Sequence, residues 1–98
     1  MINLSALAQK LDGELIGGYI AFSQLSTDSR TRTRGDMYLA LRGDRFDGND
    51  FVPEAITKGA SGAIVSKELD IDCPMLRVAD THAALGEIAK LNLSLIHI

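Results

Sequence analysis

Thr27-Asp28-Ser29-Arg30 places two hydroxyls, a carboxylate and a guanidinium in four consecutive positions. Hydroxyls and neighbouring backbone groups supply the paired donors and acceptors that a uracil-like base needs, and an arginine beside them can meet a phosphate. The same residues also suit an Asx or Ser/Thr turn whose side chains only cap the backbone, with Asp28 and Arg30 on the surface, and spacing alone favours that plainer reading. A second stretch, Gly43-Asp44-Arg45-Phe46-Asp47-Gly48, follows the apolar run Met37-Tyr38-Leu39-Ala40-Leu41 and leads into a helix. A strand-loop-helix passage presents free N–H groups to an anion. It is not a Walker loop, because the chain contains no Gly-Lys-Ser or Gly-Lys-Thr. Glycines at such a loop more often serve backbone geometry than a ligand.

Charge gathers in the same region. Arg30, Arg32, Arg34, Arg42 and Arg45 are half of the 10 basic residues, in a chain of net charge −3. A cationic patch inside an acidic chain points to a local anionic ligand, and the overall balance argues against duplex nucleic acid. His82 falls in the first turn of the last helix and reads as a solvated helix residue, while His97 belongs to the tail. Cys73, beside Pro74 and acidic neighbours, lacks the electropositive setting of a reactive thiol and reads as a small, partly buried apolar side chain. No Cys or His pair has metal-ligand spacing, so no metal is expected. Tyr38 and Phe46 could stack on a base, although an aromatic in a central strand is usually core. Asp70 and Asp72 read as a solvated return loop.

These groups need elements to hold them. Asn3 is placed to cap a first helix with Leu4, Leu7, Ala8 and Leu11 on one side and Gly13 at its end. Residues 14–16, the Gly17-Gly18 turn and residues 19–25 read as two short strands joined tightly, the second delivering Thr27 to Arg30. Residues 37–41, apolar on both faces, read as a central strand. Asp50 is the expected N-cap of a helix over 51–58, with Pro53 in its first turn and Gly59 as terminator. Short strands follow at 63–66 and 75–78, and Asp80 or Thr81 caps a last helix carrying Ala84, Leu85, Ile88 and Leu91. Strands alternating with helices predict an α/β fold, a small mixed, partly parallel sheet with flanking helices.

At 98 residues, with 46% hydrophobic and 23% charged side chains, the chain suits one globular domain rather than a disordered segment. No apolar run reaches the ~20 residues that span a bilayer, and no leader pattern opens the chain, so a cytoplasmic location is expected and membranes are not. A single cysteine fits that compartment. The tail 92–98 breaks the helical stripe and stops on an apolar residue. It reads as a truncation point whose last half-dozen residues are not native sequence, which comparison of the encoding DNA with the intact gene tests.

Taken together, Thr27 to Arg30, the run Gly35-Asp36-Met37-Tyr38-Leu39-Ala40-Leu41-Arg42-Gly43, and Arg45-Phe46-Asp47-Gly48-Asn49-Asp50-Phe51 resemble the N-terminal domain of the Mur ligases over residues 4–91. These are ATP-dependent enzymes that build the peptide stem of peptidoglycan. Within the family, Arg45-Phe46-Asp47-Gly48 with Phe51 is similar to the branch that adds D-alanyl-D-alanine to a UDP-N-acetylmuramoyl (UDP-MurNAc) tripeptide. The resemblance implies that residues 1–91 hold the UDP end of that substrate. It places Thr27 and Ser29 at the uracil, Asp44, Arg45 and Phe46 along the uridine and diphosphate, and Arg30 and Arg42 as added charge or as partners of Asp28 and Asp36. It also implies that ATP, Mg²⁺ and the catalytic groups belong to central and C-terminal domains absent here, so the chain alone would bind without catalysing. The alternatives are the sister ligase that adds the third stem residue and a stand-alone nucleotide-sugar-binding module.

Overall fold

The computed structural model describes residues 2–17, 21–22, 25–26, 37–42, 47–71, 73–90 and 96–97. The chain opens with Ile2–Asn3 (β1), which runs directly into the helix Leu4–Leu11 (α1). Leu7 and Ala8 of α1 are buried and Leu11 is half-buried, as the helical spacing of the apolar residues requires. Helix α1 ends with Asp12 in the left-handed region (φ 53°) and the Gly13 N–H donating to the Ala8 carbonyl at 2.9 Å, a Schellman-type stop. Asp12, not Gly13, therefore takes the left-handed conformation. Gly13 is needed for another reason: a Cβ there would sit 2.7 Å from Leu76 Cδ1 and 2.9 Å from the Arg77 carbonyl oxygen.

Glu14–Ile16 (β2), Ala21–Phe22 (β3) and Leu25–Ser26 (β4) follow. Among the described residues β2 and β3 do not pair with each other, as the expected tight hairpin would require; residues 18–20 and 23–24 lie outside them. β2 pairs antiparallel with the later strand Met75–Arg77 (β7), whereas β3 pairs antiparallel with β1 in a separate two-stranded sheet. Local sequence signals a turn at Gly17, whose φ is 83°, but which edges pair is decided by the free edge that β7 offers.

The main sheet is completed by Met37–Leu39 (β5), Gly62–Val65 (β6) and Ile96–His97 (β8), in the order β2-β7-β6-β5-β4-β8. Pairings from β8 through β7 are parallel, and only β2 runs against the rest, which is the mixed, partly parallel α/β sheet that the alternation of elements predicts. β5 is central and fully buried. Its side chains alternate between two apolar clusters: Met37 and Leu39 join Leu7, Ile64, Leu76, Ala84 and Ile88, while Tyr38 joins Val52, Ala55, Ala63, Val65 and Met75. Each fully buried aliphatic side chain contributes about 1.5–3 kcal/mol, so a strand buried on both faces is held firmly.

Between β5 and β6 come a 3-10 turn, Gly48–Phe51, and the helix Val52–Thr57 (α2), which has Pro53 in its first turn and ends at Gly59, φ 110°. Asp47 caps the 3-10 turn, its side chain accepting from the Asn49 N–H, and α2 follows from Phe51 with no side-chain cap, so Asp50 does not cap it. A 3-10 turn inserted ahead of α2 moves the start of the helical segment back by three residues. The last helix, Thr81–Lys90 (α3), starts at Asp80, whose Oδ1 accepts from the N–H groups of His82 at 2.9 Å and Ala83 at 3.4 Å. Among the described residues no helix is long and apolar enough to cross a membrane.

Candidate functional site

β4, β5, β6 and β7 all point the same way, so their C-terminal ends form one edge, the place where open α/β sheets hold ligands. Adjacent strands β4 and β5 are in register, Ser26 opposite Tyr38. β4 and β5, the strands that precede segments 27–30 and 43–46 in the sequence, therefore end side by side at this edge. Of the residues expected to contact the nucleotide, Thr27, Ser29, Arg30, Asp44, Arg45 and Phe46 lie outside the described residues, as do Asp28 and Asp36. Arg42 is described. It is exposed, forms a β-bridge with Asp47, and brings Nε to 3.9 Å from Asp47 Oδ2.

The described residues on either side of 43–46 are held together by several bonds. The Gly48 N–H donates to the Leu41 carbonyl at 2.8 Å, and the buried Tyr38 hydroxyl donates to the Gly48 carbonyl at 3.0 Å. Tyr38 is thus core, with its polar tip tied to the loop. A Cβ on residue 48 would lie 2.5 Å from the Leu41 oxygen and 2.7 Å from the Leu41 nitrogen, so this glycine is required by backbone approach.

Asp47 and Asn49 then clip the loop to the end of β6. Asp47 Oδ1 accepts from the Asn49 N–H at 3.0 Å and from Asn49 Nδ2 at 2.6 Å. Asn49 Nδ2 also donates to Ser66 Oγ at 3.0 Å, and the Ser66 N–H returns a bond to Asn49 Oδ1 at 3.0 Å. Asn49 is 1% exposed, and among the described residues no buried side-chain N or O atom lacks a partner. Lys67 Nζ reaches Asp47 Oδ2 at 2.8 Å and Asp50 Oδ1 at 3.6 Å. That lysine, followed by the Asn49 amide, holds the Asp47 carboxyl down at about 2 against the opposing effect of burial. Asp47 in turn raises the Lys67 ammonium above its ordinary value.

His82 does more than face solvent. Its Nε2 lies 2.8 Å from the Arg42 carbonyl oxygen, joining the start of α3 to the root of the loop across 40 residues of sequence. Arg42, Ser66, Ala79, Asp80, Thr81 and His82 line a crevice of about 220 Å³ at this edge. A wider, shallower hollow of about 490 Å³ lies alongside, over Glu14, Glu68 and Arg77. The roles of Asp47, Asn49, Ser66, Lys67 and His82 escape a reading of the sequence alone. The Asp47-Gly48-Asn49 spacing of an Asx turn is a legible signal, but nothing local points from Asn49 to Ser66 or from His82 to Arg42. Among the described residues no group of three or more His, Cys, Asp or Glu could hold a metal ion.

The family model described as "Mur ligase family, catalytic domain" matches residues 21–93. The UDP-N-acetylmuramoyl-tripeptide--D-alanyl-D-alanine ligase of Escherichia coli (strain K12) is 46% identical over 88 residues, 90% of this chain and 20% of that protein. The UDP-N-acetylmuramoyl-L-alanyl-D-glutamate--2,6-diaminopimelate ligase of Geobacillus kaustophilus is 33% identical over 73 residues, 74% of this chain and 15% of that protein. A crystal structure of MurF from Acinetobacter baumannii superposes with a TM-score of 0.73 at 36% identity, covering 85% of this chain and 19% of that one. The chain spans about a fifth or less of the length of these relatives.

Proposed function

The chain belongs to the Mur ligase family, and from that premise we propose that it binds the UDP moiety of UDP-MurNAc-tripeptide, as the N-terminal domain of a ligase that adds D-alanyl-D-alanine in peptidoglycan precursor synthesis. The observation that supports this reading is the parallel pairing of β4 with β5, the two strands that precede segments 27–30 and 43–46 in the sequence, as recognition of a base and a diphosphate from one sheet edge requires. The loop base is pre-ordered by Asp47, Asn49 and Gly48, which lowers the entropy lost on binding. Thr27 and Ser29 are assigned to the uracil side, Asp44, Arg45 and Phe46 to the uridine and diphosphate, and Arg30 and Arg42 to charge.

We assign no ATP or Mg²⁺ chemistry to these residues. The sequence has no Gly-Lys-Ser or Gly-Lys-Thr, so the residues present do not fit a triphosphate held in a P-loop. In this reading ATP and Mg²⁺ act in further domains of the parent enzyme, and this chain supplies substrate binding alone, in the cytoplasm.

The test is a titration with UDP-MurNAc-tripeptide followed by amide NMR. Shifts are expected at residues 27–30 and 42–49, and shifts confined to α1 and β2 overturn the assignment. Incubation with ATP, Mg²⁺ and D-alanyl-D-alanine is expected to yield no ligated product; measurable ligation by the pure chain overturns the division of labour. A second reading, the sister ligase adding the third stem residue, is favoured by the match to the diaminopimelate ligase, though at lower identity and over less of the chain. Assaying the complete reading frame with each amine decides between them, and a frame without a P-loop motif supports a stand-alone binding module instead.

A further inference from the structure

We propose that Asn49 is a positioning residue for substrate binding: anchored on Ser66, it sets where the two ends of segment 43–46 stand along the sheet edge, and it touches no ligand itself. This rests on the nucleotide-binding reading above. Asn49 is 1% exposed, so its amide is out of a ligand's reach. The ends of the segment are joined to each other by the Arg42–Asp47 β-bridge and by the Gly48 N–H on the Leu41 carbonyl at 2.8 Å. The Tyr38 hydroxyl ties Gly48 to β5 at 3.0 Å. These contacts fix the ends relative to β5, and their place relative to the next strand, β6, depends on bonds that cross to it.

Asn49 supplies two such bonds. Its Nδ2 donates to Ser66 Oγ and its Oδ1 accepts from the Ser66 N–H, both at 3.0 Å, while Nδ2 also meets Asp47 Oδ1 at 2.6 Å. A planar amide held at its oxygen and its nitrogen fixes direction as well as distance. The anchor is rigid, since Gly62–Val65 of β6 are all buried and the strand is paired on both sides, by β5 and β7. Lys67 also crosses, from Nζ to Asp47 Oδ2 at 2.8 Å, but its side chain is 47% exposed and its flexible stem can follow a displaced carboxylate. Replacing both partners of a buried hydrogen bond by apolar groups of the same shape is often nearly neutral in stability. What the bonded pair adds is a single geometry.

The test is the dissociation constant of the 98-residue chain for UDP-MurNAc-tripeptide, measured by amide NMR at a temperature where every variant is folded, so that lost stability alone leaves it unmoved. Asn49→Ala is expected to weaken binding about tenfold and Ser66→Ala about threefold. The double variant should bind about as weakly as Asn49→Ala alone, because both substitutions cut one tie, and Ser66→Thr, which keeps the hydroxyl, should recover most of the affinity. An Asn49→Ala constant within about twofold of the parent makes Asn49 structural only and overturns the assignment. A double variant at the product of the single effects, about thirtyfold, makes Ser66 a separate ligand contact and overturns it too. Should Asn49→Ala not fold, Asn49→Asp takes its place: it keeps an oxygen for the Ser66 N–H and loses the Nδ2 donor, so binding about threefold weaker is expected and parental affinity counts against the assignment. If the unmodified chain does not bind UDP-MurNAc-tripeptide, the nucleotide-binding reading falls and this inference with it; parental binding with unmoved variants sinks this inference alone.

Discussion

Two polar clusters stand at the same end of the sheet and differ in what surrounds them. At the β5–β6 end, Asp47, Asn49, Ser66 and Lys67 share bonds around a buried amide. At the β2–β7 end, Arg77 sits between Glu14, with which it forms an ion pair, and Glu68 at 3.6 Å, on side chains that are 35%, 60% and 81% exposed. Both look alike as charge patterns in sequence. Solvent makes the difference: water screens the second cluster and competes for its partners, whereas removing the buried Asn49 amide from the first leaves the Ser66 N–H without its acceptor.

Gly48→Ala should break the contrast most severely. Its Cβ meets backbone atoms of Leu41 that cannot swing aside, so a loss of about 3 kcal/mol is expected in urea unfolding, together with weaker nucleotide binding. Asn49→Ala should cost about 2 kcal/mol, because the Ser66 N–H loses its acceptor; a thermal melt within a degree of the parent would refute the clip. Asp47→Ala should cost about 1 kcal/mol as a lost cap, measured in the same way.

Asp47 also sets an acid limit. Its carboxyl ordinarily titrates at 3.8 and is held at about 2 in the fold, so its contribution is complete above pH 3.8 and is lost as pH falls through about 2. Acid unfolding of Asp47→Asn should lack that component, and an identical acid profile for the two proteins would count against the Lys67 pairing. The smallest effect is expected at the other cluster: Glu14→Gln should change stability by about 0.5 kcal/mol or less, measured by urea titration. A loss matching Asn49→Ala would erase the distinction between the clusters.

Elements whose information is local are legible in the residues themselves. The apolar spacing of α1 and α3, the double-sided apolar run of β5, Pro53 and Gly59 bracketing α2, and the choice of Asp80 or Thr81 as a cap all depend on residues a few positions apart. The N-cap is harder to place, because Asp50 offers the same chemistry as Asp47 three residues later and only the 3-10 turn separates them. The pairing of β2 with β7 rather than β3 is illegible for a related reason: turn chemistry marks a reversal, not which strand the chain meets.

By itself the sequence determined which faces must be buried and where most helices begin and end, since hydrophobic periodicity and capping act over one or two turns of chain. Only the tertiary structure decided that β2 lies against β7, that Asn49 closes onto Ser66, and that His82 reaches the Arg42 carbonyl. Those pairings join residues far apart along the chain, and such partners are selected by which edges and buried polar groups remain unsatisfied once the core has formed, a condition no local pattern encodes.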